Sequence, residues 1–270
     1  MGAVPAAGGR KAPSGVAVRT ENLRKDMREV KEMKLGTFAD RLQRDIPGLR
    51  SVVLYGSAAA GDHTGRGSDY NLLLVVERLD MELLDRLSRC VRRWMARGNP
   101  PPVVFTIERL EKSVDVFPIE IADMKQARRV LWGEDVLERL HISLADLRSQ
   151  LERELKQKII ALRQGYLAAA GHKRLVRRLM MASFSSVLTL VRSTLRLHQK
   201  EIPLRKMDAA RMLREHVEFD LEVLETLYAI KCRQATWRGR DCRDLFRRYL
   251  LAVETIADHV DRWIRKEKEE

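Results

Sequence analysis

Apolar positions along the chain fall into two textures. From residue 20 to about 138, helical and strand periodicities alternate; beyond about 143 only helical spacing remains. Residues 20–46 read as a helix that Thr20 can cap, with Leu23, Met27, Val30, Met33, Leu35 and Phe38 on one face and Pro47-Gly48 as its stop. "SVVLY" (51–55) reads as a short buried strand ended by Gly56. "YNLLLVV" (70–76) is apolar on both faces, which predicts a central strand in a covered sheet. Leu83, Leu84, Leu87, Val91 and Trp94 mark an amphipathic helix over 80–97, and "NPPP" (99–102) breaks the chain after it. "VVFTI" (103–107) reads as a third strand. "FPIEIADM" (117–124) reads as a fourth, with Pro118 at its start.

The second half predicts long helices over 143–169, 173–200 and 241–267, with a third segment, 203–230, broken near 216–219. Ser143, with Asp146 three residues on, gives the first a capping-box-like start. The fold class expected is therefore α+β: a small mixed-sheet unit over 20–138, then an all-α bundle over 139–270, with residues 1–19 as a flexible tail. That tail is small, Pro/Gly-containing and acid-free, and lacks the apolar stretch of a secretory signal.

Composition narrows the class. The 270 residues are 45% hydrophobic and 33% charged, and no apolar run approaches the roughly 20 residues that span a bilayer. No membrane association is expected. Three scattered cysteines, Cys90, Cys232 and Cys242, do not read as a disulfide framework, which favours a reducing, cytoplasmic setting. The formal charge of +13 is uneven: residues 1–140 hold 24 Lys+Arg against 20 Asp+Glu, and residues 141–270 hold 27 against 18. A basic second half suits an anionic partner, a nucleotide phosphate ahead of RNA. Few aromatics accompany the cations, which argues against a platform for single-stranded nucleic acid. The six histidines show no metal-ligand spacing. A homodimer is compatible with all of this.

The chemistry concentrates in 51–77. Residues i and i+2 of a strand share a face, so Asp69 and Asn71 point the same way at the start of the second strand. Gly56-Ser57, ending the first strand, can offer backbone N–H groups to a phosphate. Such a pair beside such a turn suits a Mg²⁺-phosphate site, since Mg²⁺ takes one or two carboxylates plus substrate phosphates. A third oxygen ligand would come from Glu120, chosen over Asp115 and Asp123 because it alternates with Ile119 and Ile121. Ser68 and Arg66 precede Asp69 in the loop and lie within reach of phosphates. Lys173, Arg174, Arg177 and Arg178 open a helix start whose dipole disfavours cations; a solvated face is the preferred reading.

"LYGSAAAGDHTGRGSDYNLLLVV" resembles the nucleotidyltransferase superfamily signature hGS-x(n)-G-x(n)-[D/E]h[D/E]h of DNA polymerase β-like enzymes. Minimal bacterial and kanamycin-type nucleotidyltransferases, which join such a unit to a helical bundle, are similar in form. The resemblance implies that Gly56 and Ser57 bind nucleotide phosphates. It implies that Asp69 and position 71 hold Mg²⁺, and that Glu120 completes the site or acts as base. It implies transfer of a nucleoside monophosphate from an NTP, with ATP as the expected donor, to a hydroxyl acceptor the sequence does not identify. Asn71 departs from the pattern, which has a carboxylate there. Losing that charge costs on the order of several kcal/mol of metal affinity before screening, so one ion is expected and a second is disfavoured. The alternative is a nucleotide-binding module of the same fold that does not catalyse transfer.

Overall fold

The computed structural model describes residues 35–60, 70–199 and 201–267. The predicted helix over 20–46 is seen from residue 35: α1 covers 35–45, and the rest of it, like the tail over 1–19, lies outside the described residues. Four strands follow, β1 (Leu49–Tyr55), β2 (Asn71–Val76), β3 (Val103–Thr106) and β4 (Arg128–Gly133), in the order β3-β2-β1-β4. β1 runs antiparallel to both neighbours, while β2 and β3 are parallel, so the sheet is mixed.

Alternation sorts the sheet's side chains. Val52, Leu54, Leu72, Leu74 and Val76 pack under α1 and α2 (Met81–Met95), together with Leu42, Leu87 and Trp94. Val53, Leu73 and Val75 face the other way, onto Leu110 of α3 (Ile107–Glu111), Ile121 and Met124 of α4 (Pro118–Gln126), and Leu137. Both faces are covered, which explains why β2 reads as a continuous apolar run. Asp80 caps α2 by accepting from Leu83 N–H at 2.9 Å, worth about 1 kcal/mol.

The second half is helical: α5 (Leu144–Ala169), α6 (Lys173–Leu195), α7 (Lys206–Leu213), α8 (Leu221–Lys231) and α9 (Cys242–Glu267). Ser143 caps α5 as expected, its Oγ accepting from Ala145 and Asp146 N–H at 3.2 and 3.4 Å. The predicted break in the third segment separates α7 from α8, and Asp220 starts α8 by accepting from Val223 N–H at 3.1 Å. Phe184, Tyr249, Met180 and Val260 lie at the centre of the bundle core, fully buried.

One element differs from expectation. Residues 117–124 are not a strand: Pro118–Gln126 is helix α4, with Pro118 at its start. The fourth strand is the stretch after it, "RRVLWG". α4 is buried on two sides. Ile121 and Met124 pack into the α/β unit, whereas Ile119 belongs to the bundle core. Apolar residues on opposed faces of a short helix mimic the period-two pattern of a strand.

Candidate functional site

The candidate site lies at one end of the sheet. Tyr55, the last residue of β1, stands opposite Asn71 of β2 on one side and Arg128 of β4 on the other. Tyr55 packs with the Val53 and Leu73 face, so alternation puts Asn71, two before Leu73, on that α4-covered face as well. Burial pushes the Tyr55 phenol above its ordinary range.

Gly56 turns the chain. Its φ of +81° lies in the left-handed region, where a side chain is strained. Its N–H donates to the carbonyl of Ala127, just past α4, at 2.9 Å. Its carbonyl accepts from Ala59 and Ala60 N–H, each at 3.0 Å, which curls 57–60 into a tight turn with Ser57 exposed. A Cβ placed on Gly56 would lie 3.3 Å from Asn71 Nδ2. The two halves of the sequence motif are therefore in contact: the glycine leaves room for the amide of Asn71.

The start of β2 is latched from outside. Tyr70 N–H donates to Asn99 Oδ1 at 3.2 Å, and Asn99 Nδ2 donates to Trp94 carbonyl at 3.3 Å. Trp94 Nε1 in turn donates to the Pro100 carbonyl at 2.9 Å. The "NPPP" breaker thus holds the backbone immediately after Asp69. Asp69, Ser68 and Arg66 themselves lie outside the described residues.

Glu120 is not where strand alternation put it. It is an exposed residue of α4, and its Oε2 accepts from Gln150 Nε2 of α5 at 2.9 Å. The same Gln150, 4% exposed, accepts from Ile119 N–H through Oε1 at 2.9 Å. The physical ground for choosing Glu120 over its neighbours is gone. Asp123, the acid passed over in favour of Glu120, is held from the bundle: Arg192 and Arg196 of the α6 region reach its two oxygens, each at 2.7 Å. Gln126 Nε2 donates to the carbonyls of Ile202 and Pro203, at 2.6 and 3.1 Å. Sequence reasoning weighed Asp123 but missed Arg192, Arg196 and Gln126. The signal was there: Arg192 and Arg196, four apart, interrupt an otherwise apolar helical run.

Among the described residues, no group of three or more His, Cys, Asp or Glu is placed to hold a metal ion. His198 Nε2 and His259 Nε2 lie 2.9 Å apart, and His198 stacks on His216 with centroids 4.5 Å apart, an arrangement that aims the rings at one another. Burial, then the neighbouring His216 and His259, lower the His198 pKa to about 4. Of the basic run opening α6, Arg177 lies 5.3 Å over the Trp237 ring, a packing contact. Among the described residues no helix is long and apolar enough to cross a membrane.

No protein-family model matches the sequence, and no curated protein matches it. Among solved structures, the crystal structure of a toxin-antitoxin with AMP-PNP aligns over 45% of this chain and 93% of its own, at 16% identity and a TM-score of 0.30. A likeness that slight carries no weight, and the site stands on its own residues.

Proposed function

We propose that this protein binds a nucleoside triphosphate at the Gly56 end of the sheet and transfers its nucleoside monophosphate to a hydroxyl acceptor, releasing pyrophosphate. The observation that carries the reading is the contact between Gly56 and Asn71, which joins the Gly-Ser turn to the Asp-x-Asn stretch across 15 residues of sequence. In this reading the exposed Ser57, at the turn that Gly56 opens, meets the phosphates. Asp69, next in sequence to the latched Tyr70, supplies the carboxylate, with Ser68 and Arg66 just before it in the chain. The acceptor oxygen attacks the α-phosphorus as the bond to pyrophosphate breaks.

The donor set suits one Mg²⁺, held by Asp69, the amide oxygen of Asn71 and substrate phosphates. When bound, it would offset the charge of the triphosphate. Glu120 is left out of this set because its carboxylate is engaged by Gln150 from a helix. ATP is the expected donor, the acceptor class is open, and RNA is the less favoured acceptor. A cytoplasmic location and a possible homodimer complete the reading.

A second reading rests on Asn71 itself, since a neutral amide replaces a carboxylate: the protein binds nucleotide without transferring it. Labelled NTPs with Mg²⁺ or Mn²⁺ and a panel of hydroxyl acceptors separate the two. The first reading expects transfer that Asp69→Ala abolishes. Metal-independent NTP binding, with transfer seen in neither the native protein nor Asn71→Asp, would establish the second.

A further inference from the structure

The joint between α4 and the bundle gathers more positive charge than it neutralises. Ser185, Thr189, Arg192 and Arg196 follow one another at spacings of four, three and four residues, so they form a single stripe along α6 and its end. Both arginines are deeply buried, 6% and 10% exposed in their side chains. Two lysines reach the same stripe: Lys206, the first residue of α7, donates to Thr189 Oγ1, and Lys231, the last of α8, donates to Ser185 Oγ. Among the described residues, Arg192, Arg196 and Lys206 thus share one carboxylate, Asp123, whose two oxygens are both taken by the arginines, and Lys231 stands exposed beside them.

A hydroxyl satisfies an ammonium hydrogen bond without offsetting its charge, and charge withdrawn from water without an opposite partner is costly. The donors are also in excess. Arg192 places one nitrogen on the Leu204 carbonyl and another on Asp123, and its buried Nε meets no acceptor. Lys206 is pushed below its ordinary pKa, by burial first; Asp123 opposes that shift and Arg192, Lys231 and Arg196 add to it. Two uncompensated positive charges in the joint, with the exposed Lys231 at its edge, suit a polyvalent anion, and planar guanidinium forks beside ammonium groups are the side chains that grip phosphate oxygens.

We propose that the α6 stripe, with Arg192, Arg196, Lys206 and Lys231, is a binding site for the phosphate group of a small phosphorylated ligand. It rests on the charge balance of this joint and not on the transfer reaction. The last turn of α4 connects it to the Gly56 end of the sheet: Gln126 accepts from Arg196, and the next residue, Ala127, accepts from Gly56 N–H. The phosphate could belong to the polyphosphate tail of the nucleotide or to a separate phosphorylated acceptor.

Calorimetry on the full chain with inorganic phosphate and tripolyphosphate, at fixed ionic strength, tests it. We expect saturable binding by the native protein, weakened about tenfold or more in Lys206→Met and in Lys231→Met, restored in Lys206→Arg, and unaffected by Lys173→Met. Lys231 is exposed, so its variant reports on the site even if Lys206→Met were to perturb the joint. Absence of saturable binding in the millimolar range, or equal binding by the native protein and both methionine variants, overturns the proposal. Displacement of tripolyphosphate by ATP assigns the site to the nucleotide's own tail; simultaneous binding of both assigns it to a second ligand, and either outcome supports the site.

Discussion

Replacing Gly56 with alanine separates backbone strain from site geometry. At a φ of +81° an L-residue gives up about 1–2 kcal/mol, and the restriction alanine places on the unfolded chain adds only a partial offset of about 0.4–1 kcal/mol. The net loss expected is about 1 kcal/mol, a melting temperature lower by about 2–4 °C in a chain of this size. Gly239, in the bundle, has a φ of +74° and open space where its Cβ would go, so Gly239→Ala carries the same strain without a contact. At Gly56 the new methyl meets Asn71 Nδ2 at 3.3 Å and forces the amide to give way by a few tenths of an ångström. Both variants should melt alike, and only Gly56→Ala should bind ATP more weakly, by a factor of about ten, since displacing a site group by that much typically costs on the order of 1 kcal/mol or more. Thermal melts followed by calorimetric titration with ATP read both quantities. Unchanged ATP affinity in Gly56→Ala would refute the assignment of the Gly56–Asn71 contact to the nucleotide site.

Asp123→Asn should destabilise the protein by about 3–5 kcal/mol in urea unfolding, because it leaves two buried guanidinium groups without their carboxylate; a loss under about 1 kcal/mol would mean the arginines are already solvated. Asn99→Ala should leave overall stability within about 1 kcal/mol but increase backbone hydrogen exchange at Tyr70, whose N–H it accepts; unchanged exchange there would remove the latch from the site. His198 gives a pH signature. Its pKa falls from 6.5 to about 4 on folding, so between those values the unfolded chain binds the proton and the folded chain does not. Its contribution is complete above pH 6.5 and is lost as pH falls toward 4. The urea midpoint should therefore decline from pH 7 to pH 5 more steeply in the native protein than in His198→Asn, and equal slopes would contradict the reading.

Much of the fold was legible because its long elements carry strong periodicity. β2, apolar on both faces, and α5, with Ser143 before it, needed no tertiary information. α4 was misread because its burial is two-sided: Ile119 goes to the bundle and Ile121 to the sheet, so "PIEIAD" alternates like a strand. β4 was missed because Arg128 and Arg129 open it, and a half-buried edge strand tolerates charges that a central one excludes. At the site, Gly56 and Asn71 were legible as motif residues. Their direct contact was not, since it depends on the antiparallel register of β1 and β2. Arg192 and Arg196 stand out in an apolar run, but their pairing with Asp123 was illegible, because that partner is about 70 residues away on a helix whose sequence alternates like a strand.

The two-sided burial of α4 has a mechanical consequence. Chain segments joined by a linker ordinarily swing against each other, and a cleft between such segments can open and close around a ligand. Here α4, packed between the sheet and the bundle although β4 follows it, is pinned to the bundle through Ile119, through both ends of the Gln150 amide and through Asp123, while Ile121 and Met124 anchor it under the sheet. A hinge at this point would have to break all of those attachments together. A hinge at α4 is therefore disfavoured, and binding at the Gly56 turn would not draw on a closure of the two halves about this helix.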